Sequence, residues 1–217
     1  MGSRPEPIKV FSHRARGIGS NDENNPENAL LALAEFDGVE VDIRGDGPDQ
    51  YSLGHFRPNE HTLEELLILT KNNWQSEFVG KYLLLDIAND SGQHVSDSLI
   101  DDLIEMIGNS NLNQLKYIIL ASVENILVRC QTRYRGLESL ASIEFAMTYF
   151  SVTSFTPPDQ ANFVLTNVSE LPDNLLPKPV ILFGVESRQT FMQSRANNNE
   201  VFGLVSDHPR RMVNLQK

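Results

Sequence analysis

The sequence predicts an α/β protein, a compact (β/α)8 barrel, on three observations. Short β-rich runs recur eight times in 217 residues, and helical patterns fall between most of them. The first run lacks the G-x-G-x-x-G loop that would mark an open doubly wound sheet, the competing architecture. Repeated strand–helix alternation means parallel strands joined by right-handed crossovers, and eight such units close a barrel. Chains of this fold typically run to about 250 residues, so this one is lean, with some helices short or missing.

The eight runs are "IKVFSH" (8–13), "GVEVDIR" (38–44), "KYLLLDIA" (81–88), "LKYIILAS" (115–122), "LASIEFAM" (140–147), "NFVLTN" (162–167), "KPVILFGV" (178–185) and "VFGLVSD" (201–207). Helices are expected over 26–36, 62–73, 95–108, 123–135 and 187–197. The first opens "NNPENALLAL", with Asn25 placed to cap it and Pro26 at its first turn. The stretches 148–161 and 168–177 are too short or too rich in proline for long helices. No linker or low-complexity run interrupts the chain, which reads as a single domain over 1–217.

"GVEVDIR" is the informative run. Val39, Val41 and Ile43 alternate with Glu40 and Asp42, so the two faces of this strand meet different surroundings. In an antiparallel sheet the acidic face would simply be wet. In a parallel barrel the apolar face meets the helices and the acids point inward. Unpaired buried carboxylates are costly by several kcal/mol each, so they require a cation or basic partners. Two of them near a strand's C-terminal end, where barrel enzymes place their chemistry, favour a hard divalent metal. Around them the first strand ends in His13-Arg14, the short extended "YSLGHF" returns His55 to the same rim, and Asp86 stands inside the apolar third run. Neighbouring strands lie about 4.8 Å apart, so these groups converge over the first three strands.

This order of residues resembles the glycerophosphodiester phosphodiesterase family. Its pattern is His-Arg ending strand one, Pro-Glu-Asn opening the first helix, Glu-x-Asp on strand two and a histidine soon after. Here these are His13-Arg14, Pro26-Glu27-Asn28, Glu40-Val41-Asp42 and His55, and "GLVSDHP" is similar to the closing motif through Gly203, Ser206, Asp207 and Pro209. The resemblance implies the same barrel and a phosphoric diester hydrolase of lipid metabolism. It implies His13 and His55 as acid and base, Arg14 on the substrate phosphate, and one Mg²⁺ or Ca²⁺ held by Glu40, Asp42 and Asp86.

The chain departs from the family at several points. Ala15 replaces the usual glycine after His-Arg, and thirteen positions separate His13 from Pro26. Phe56 stands where an aspartate commonly follows the second histidine. Asp86-Ile87-Ala88 replaces Glu-x-Lys, so a lysine that bears on phosphate affinity and rate is missing. The inserted segment that often covers the substrate is absent, and "SLGHFRP" looks like a divergent bacterial branch with a Leu-Gly-His-Asp motif. Two other readings therefore stay open: a catalytically impaired barrel that binds a phosphorylated ligand, or a phosphodiesterase for an inositol-type or other lipid-derived headgroup.

Composition narrows the partners. The net charge is −11, which argues against nucleic acid and anionic membrane surfaces; the small-molecule phosphodiester expected as ligand is what the resemblance implies. No run reaches the roughly 18–20 apolar residues of a membrane span. Cys130, the one cysteine, excludes an internal disulfide and is compatible with a reducing, cytoplasmic setting. Oligomeric state is not legible.

Overall fold

The structure, a computed structural model, describes residues 7–16, 22–45, 51–55, 60–87, 97–135, 141–149, 157–171, 176–196 and 200–216. In chain order the elements are β1 (Lys9–Ser12), α1 (Pro26–Glu35), β2 (Gly38–Gly45), β3 (Tyr51–Leu53), α2 (Leu63–Asn72), β4 (Tyr82–Ile87), α3 (Asp97–Asn109) and β5 (Lys116–Ala121). Next come α4 (Glu124–Tyr134), β6 (Ser142–Tyr149), β7 (Phe163–Asn167), β8 (Val180–Phe183), α5 (Arg188–Ala196), β9 (Val201–Ser206) and α6 (Pro209–Leu215).

Eight strands pair in parallel in the order β1-β9-β8-β7-β6-β5-β4-β2, and β1 pairs with β2 to close the barrel. All eight expected strands form. Two elements go beyond the expectation. The extended "YSL" segment is a true strand, β3, which pairs antiparallel with the end of β2 through Ile43–Leu53, Arg44–Ser52 and Gly45–Tyr51. Residues 209–215 form α6, started by Pro209, a short helix with too few apolar positions to announce itself by periodicity.

Local chemistry accounts for the helix starts near the site. Asn25 Oδ1 accepts from the Asn28 N–H at 3.1 Å and caps α1, and Thr62 Oγ1 accepts from the Glu65 N–H at 3.1 Å and caps α2. Gly38, which opens β2, leaves no room for a Cβ, because that atom would collide with the Tyr82 carbonyl oxygen of the adjoining strand.

The barrel divides the apolar residues into layers. Val39, Val41 and Ile43 pack outward with α1 and α2 residues such as Ala32, Leu33, Leu63 and Leu66. Inside, Phe11, Tyr82, Leu84, Ile118, Leu120, Phe163, Leu165 and Ile181 form a separate cluster. Its N-terminal end is closed by rings, with Phe163 and Tyr82 at 4.5 and 5.5 Å from Phe202 between centroids. This apolar plug leaves the C-terminal mouth for polar groups. Cys130 is buried in the outer layer, where burial pushes its thiol up to about 12, so it is an inert packing residue.

Candidate active site

Glu40 and Asp42 sit on the inward face of β2, 3% and 1% exposed, as the alternation requires. β4 runs beside β2 in a register that sets Asp86 directly opposite Asp42. One carboxylate oxygen from each of Glu40, Asp42 and Asp86 lies within 4.8 Å of the others, so the three could hold a metal ion. Burial, together with the nearby Asp42 and Asp86, holds the Glu40 carboxyl well above the usual carboxylate range. Burial also pushes Asp42 up, but hydrogen bonds from His55 and Asn24 and the Arg14 charge outweigh it and leave Asp42 below its ordinary value. Hard oxygen donors packed against one another at the barrel mouth suit a divalent cation, which would remove the repulsion that burdens Glu40.

The end of β1 supplies the next groups. After Ser12 the chain turns through Arg14 at φ 50° and Ala15 at φ 56°, both in the left-handed region. That turn aims the Arg14 N–H at Glu40 Oε2, 2.8 Å away, and leaves His13 Nε2 at 3.9 Å from the same oxygen. Ala15, fully buried, thus occupies a conformation that suits the family's glycine better. The Arg14 guanidinium is engaged by the protein itself, with Nε 3.2 Å from Asp42 Oδ2 and Nη1 3.4 Å from Glu23 Oε2.

His55 arrives by the β2–β3 hairpin. The Gly54 N–H donates to the Asp42 carbonyl at 3.1 Å, with Gly54 at φ 133°, a region closed to other residues. His55 Nδ1 then lies 2.8 Å from Asp42 Oδ1. On the opposite side His13 Nδ1 lies 2.8 Å from Asp207 Oδ1, at the end of β9. An ionised carboxylate only accepts, so Nδ1 carries the proton in both rings and Nε2 is the nitrogen left for chemistry. The hydrogen bond from His13 holds Asp207 below its ordinary value, helped by Arg16 and Arg14.

Three supporting residues were not singled out from sequence. Asn24, buried and at φ 54°, clasps Asp42 twice: Nδ2 donates to Oδ2 at 2.9 Å, and Oδ1 accepts from the Asp42 N–H at 2.8 Å. Glu186 accepts from the Asp207 N–H at 3.3 Å and from the Ser206 hydroxyl, which fixes the backbone that carries Asp207. Arg44, next on the inward face after Asp42, donates from Nη1 to the His55 carbonyl. The double-clasp role of Asn24 had no signal beyond an asparagine suited to positive φ in a polar loop.

Glu27 is exposed on the first turn of α1, whereas Asn28 is buried and donates to the Asp22 carbonyl at 3.1 Å, so the Pro-Glu-Asn motif builds the loop. His208 is exposed at the start of α6, His61 pairs with Glu65, and Trp74 packs edge-on against Phe78. Phe56, Ala88, Gly17 and His94 lie outside the described residues.

No family model matches the chain, and no curated protein matches it. Among solved structures it is similar to a phosphodiesterase from Oleispira antarctica, determined in complex with the product sn-glycerol-3-phosphate. The two share 13% identity over 96% of each chain with a TM-score of 0.71. The likeness establishes the barrel fold over nearly the whole length.

Proposed function

We propose that this chain is a metal-dependent phosphodiester hydrolase acting on small glycerophosphodiester-like molecules. It would release an alcohol and a phosphomonoester such as glycerol phosphate, from a single domain over 1–217. The observation that carries the reading is the convergence of Glu40, Asp42 and Asp86 between two histidines, each fixed through Nδ1 by a carboxylate. The product bound to the Oleispira protein supports the substrate class. No helix among the described residues is long and apolar enough to cross a membrane.

A divalent cation, Mg²⁺ or Ca²⁺, would be held by Glu40, Asp42 and Asp86 and would supply positive charge to the phosphoryl oxygens. Arg14 adds a forked donor, turning its outer edge from Glu23 to the phosphate. The nucleophile is water, or a neighbouring substrate hydroxyl whose cyclic phosphodiester product a water then opens to the phosphomonoester. One histidine takes its proton at Nε2 as the new P–O bond forms. The other gives a proton from Nε2 to the departing alcohol oxygen as the old P–O bond breaks. Each transfer is typically worth about 10²–10⁴-fold. Asp42 and Asp207 accept from Nδ1–H of both rings, so the base is the neutral imidazole with Nε2 open and the acid is the imidazolium whose second proton sits on Nε2. Arg14 and Arg16 pair with Asp42 and Asp207 and offset part of the acidic charge at the rim, so attraction of an anionic ester would depend on the bound cation.

The test is release of sn-glycerol 3-phosphate from glycerophosphocholine, glycerophosphoethanolamine and glycerophosphoinositol. Turnover that a chelator stops and Mg²⁺ or Ca²⁺ restores is expected. Ligand binding without release of any alcohol would instead make the chain a phosphate-ester binding protein.

A further inference from the structure

Two buried hydroxyls, Thr148 Oγ1 and Thr166 Oγ1, have no hydrogen-bond partner among the described residues. Thr148 is 4% exposed and Thr166 0%. They stand on opposite faces of the barrel wall. Thr148 is on the same face of β6 as Ala146 and is in register with Leu165, and both of those belong to the interior cluster. Thr166 alternates with Leu165 and is in register with Leu182, which packs toward the helices.

The height of Thr148 in the barrel follows from the register. The hydrogen-bonded row through Asp86 runs to Leu120 on β5 and Ala146 on β6. Such rows are inclined to the barrel axis: followed once around, they return about eight residues nearer the start of the first strand. Staying level therefore means climbing about one residue per strand. Thr148 is two residues beyond Ala146, on the second strand from Asp86. It stands level with Asp86, in the interior layer that alternate strands share.

A buried hydroxyl without a partner opposes folding, and valine has nearly the same shape without that penalty. At Thr166 the outward face offers nothing more. At Thr148 the hydroxyl shares its layer with the acid cluster, on a wall otherwise built from Ala146, Leu165 and Phe183. The carboxylates there only accept hydrogen bonds, and phosphoryl oxygens are acceptors too. We infer that Thr148 is a substrate-binding residue whose hydroxyl donates a hydrogen bond to a phosphoryl oxygen of the ester held at Glu40, Asp42 and Asp86. The inference rests on the reading of that site given above.

The test compares Thr148→Val, Thr148→Ser and Thr166→Val with the wild type. Three quantities are read: Tm without ligand, the rise in Tm given by sn-glycerol 3-phosphate with Mg²⁺, and kcat/KM on glycerophosphocholine. Both valine variants should match the wild type in Tm or exceed it by about 2–4 °C. Thr148→Val should lose about 10–100-fold in kcat/KM and most of the ligand-induced shift, as for a lost hydrogen bond to a charged group. Thr166→Val should stay near wild type in both, and Thr148→Ser, which keeps the hydroxyl, should retain more of both than Thr148→Val. A lower Tm in Thr148→Val, or an equal loss of activity in Thr166→Val, would overturn the inference. So would wild-type kinetics and ligand response in Thr148→Val, which would leave the proposed activity standing. A wild type that neither cleaves the ester nor responds to sn-glycerol 3-phosphate would remove both.

Discussion

His55 and His13 each turn Nδ1 to a carboxylate oxygen at 2.8 Å, yet the two carboxylates belong to different parts of the barrel. The Asp42 side chain is 2% exposed and also meets Asn24, Arg14 and the acid cluster. Asp207 is 34% exposed, stands at the far end of the sequence and is braced by Glu186 and Arg16. The Nδ1 anchor of His55 is therefore one of the acids that could hold a metal, whereas the Nδ1 anchor of His13 is not. Variants on the two sides should separate proton transfer from cation binding.

The largest effect belongs to the rings themselves. His13→Ala and His55→Ala should each lower kcat by about 10²–10⁴-fold with far-UV circular dichroism unchanged. Full activity in both variants would end the two-histidine account. Next, Asp42→Asn should match those losses and also weaken Mg²⁺ or Ca²⁺ binding measured by calorimetry, because on the proposed function one carboxylate would serve both ion and ring. Asp207→Asn should lose about 10–100-fold in kcat with cation affinity unchanged. Equal cation affinities in the two Asp variants would erase the distinction drawn here.

Asn24→Ala removes two buried hydrogen bonds from Asp42 and should destabilise the fold by about 1–3 kcal/mol in urea titration. A smaller effect concerns pH. Asp207 is held below its ordinary value of 3.8, so its contribution to stability is fully present above that value and is lost as pH falls through the lower, folded value. The Tm advantage of wild type over Asp207→Asn should thus shrink in acid below about pH 4, and its size should be modest given the exposure of the pair. The smallest effect is at the turn. Ala15→Gly relieves a left-handed alanine but frees the unfolded chain, so stability should change by less than about 1 kcal/mol.

Much of this site was legible because strand alternation and barrel closure are simple rules. Once eight strands were counted, Glu40 and Asp42 had to face inward, and the β2–β4 register then brought Asp86 beside them. The strand ends carried His13 and His55 to the same rim. What stayed hidden depends on loop geometry or on distant contacts. Asn24 reaches Asp42 through a left-handed backbone turn that no periodicity encodes. Asp207, 194 residues from His13, was visible as part of a motif, but its role emerged only when closure placed β9 beside β1. Thr148 needed both the register and the inclination of the rows. β3 was too short to declare its pairing, and α6 too short to show a periodic face.

The most direct measurement of the central claim is an anomalous-difference map from crystals soaked in Mn²⁺, standing in for Mg²⁺ or Ca²⁺. A single strong peak bridging the carboxylates of Glu40, Asp42 and Asp86 is the predicted result. A map with no peak among them, from crystals whose protein still hydrolyses glycerophosphocholine after chelation, would contradict it.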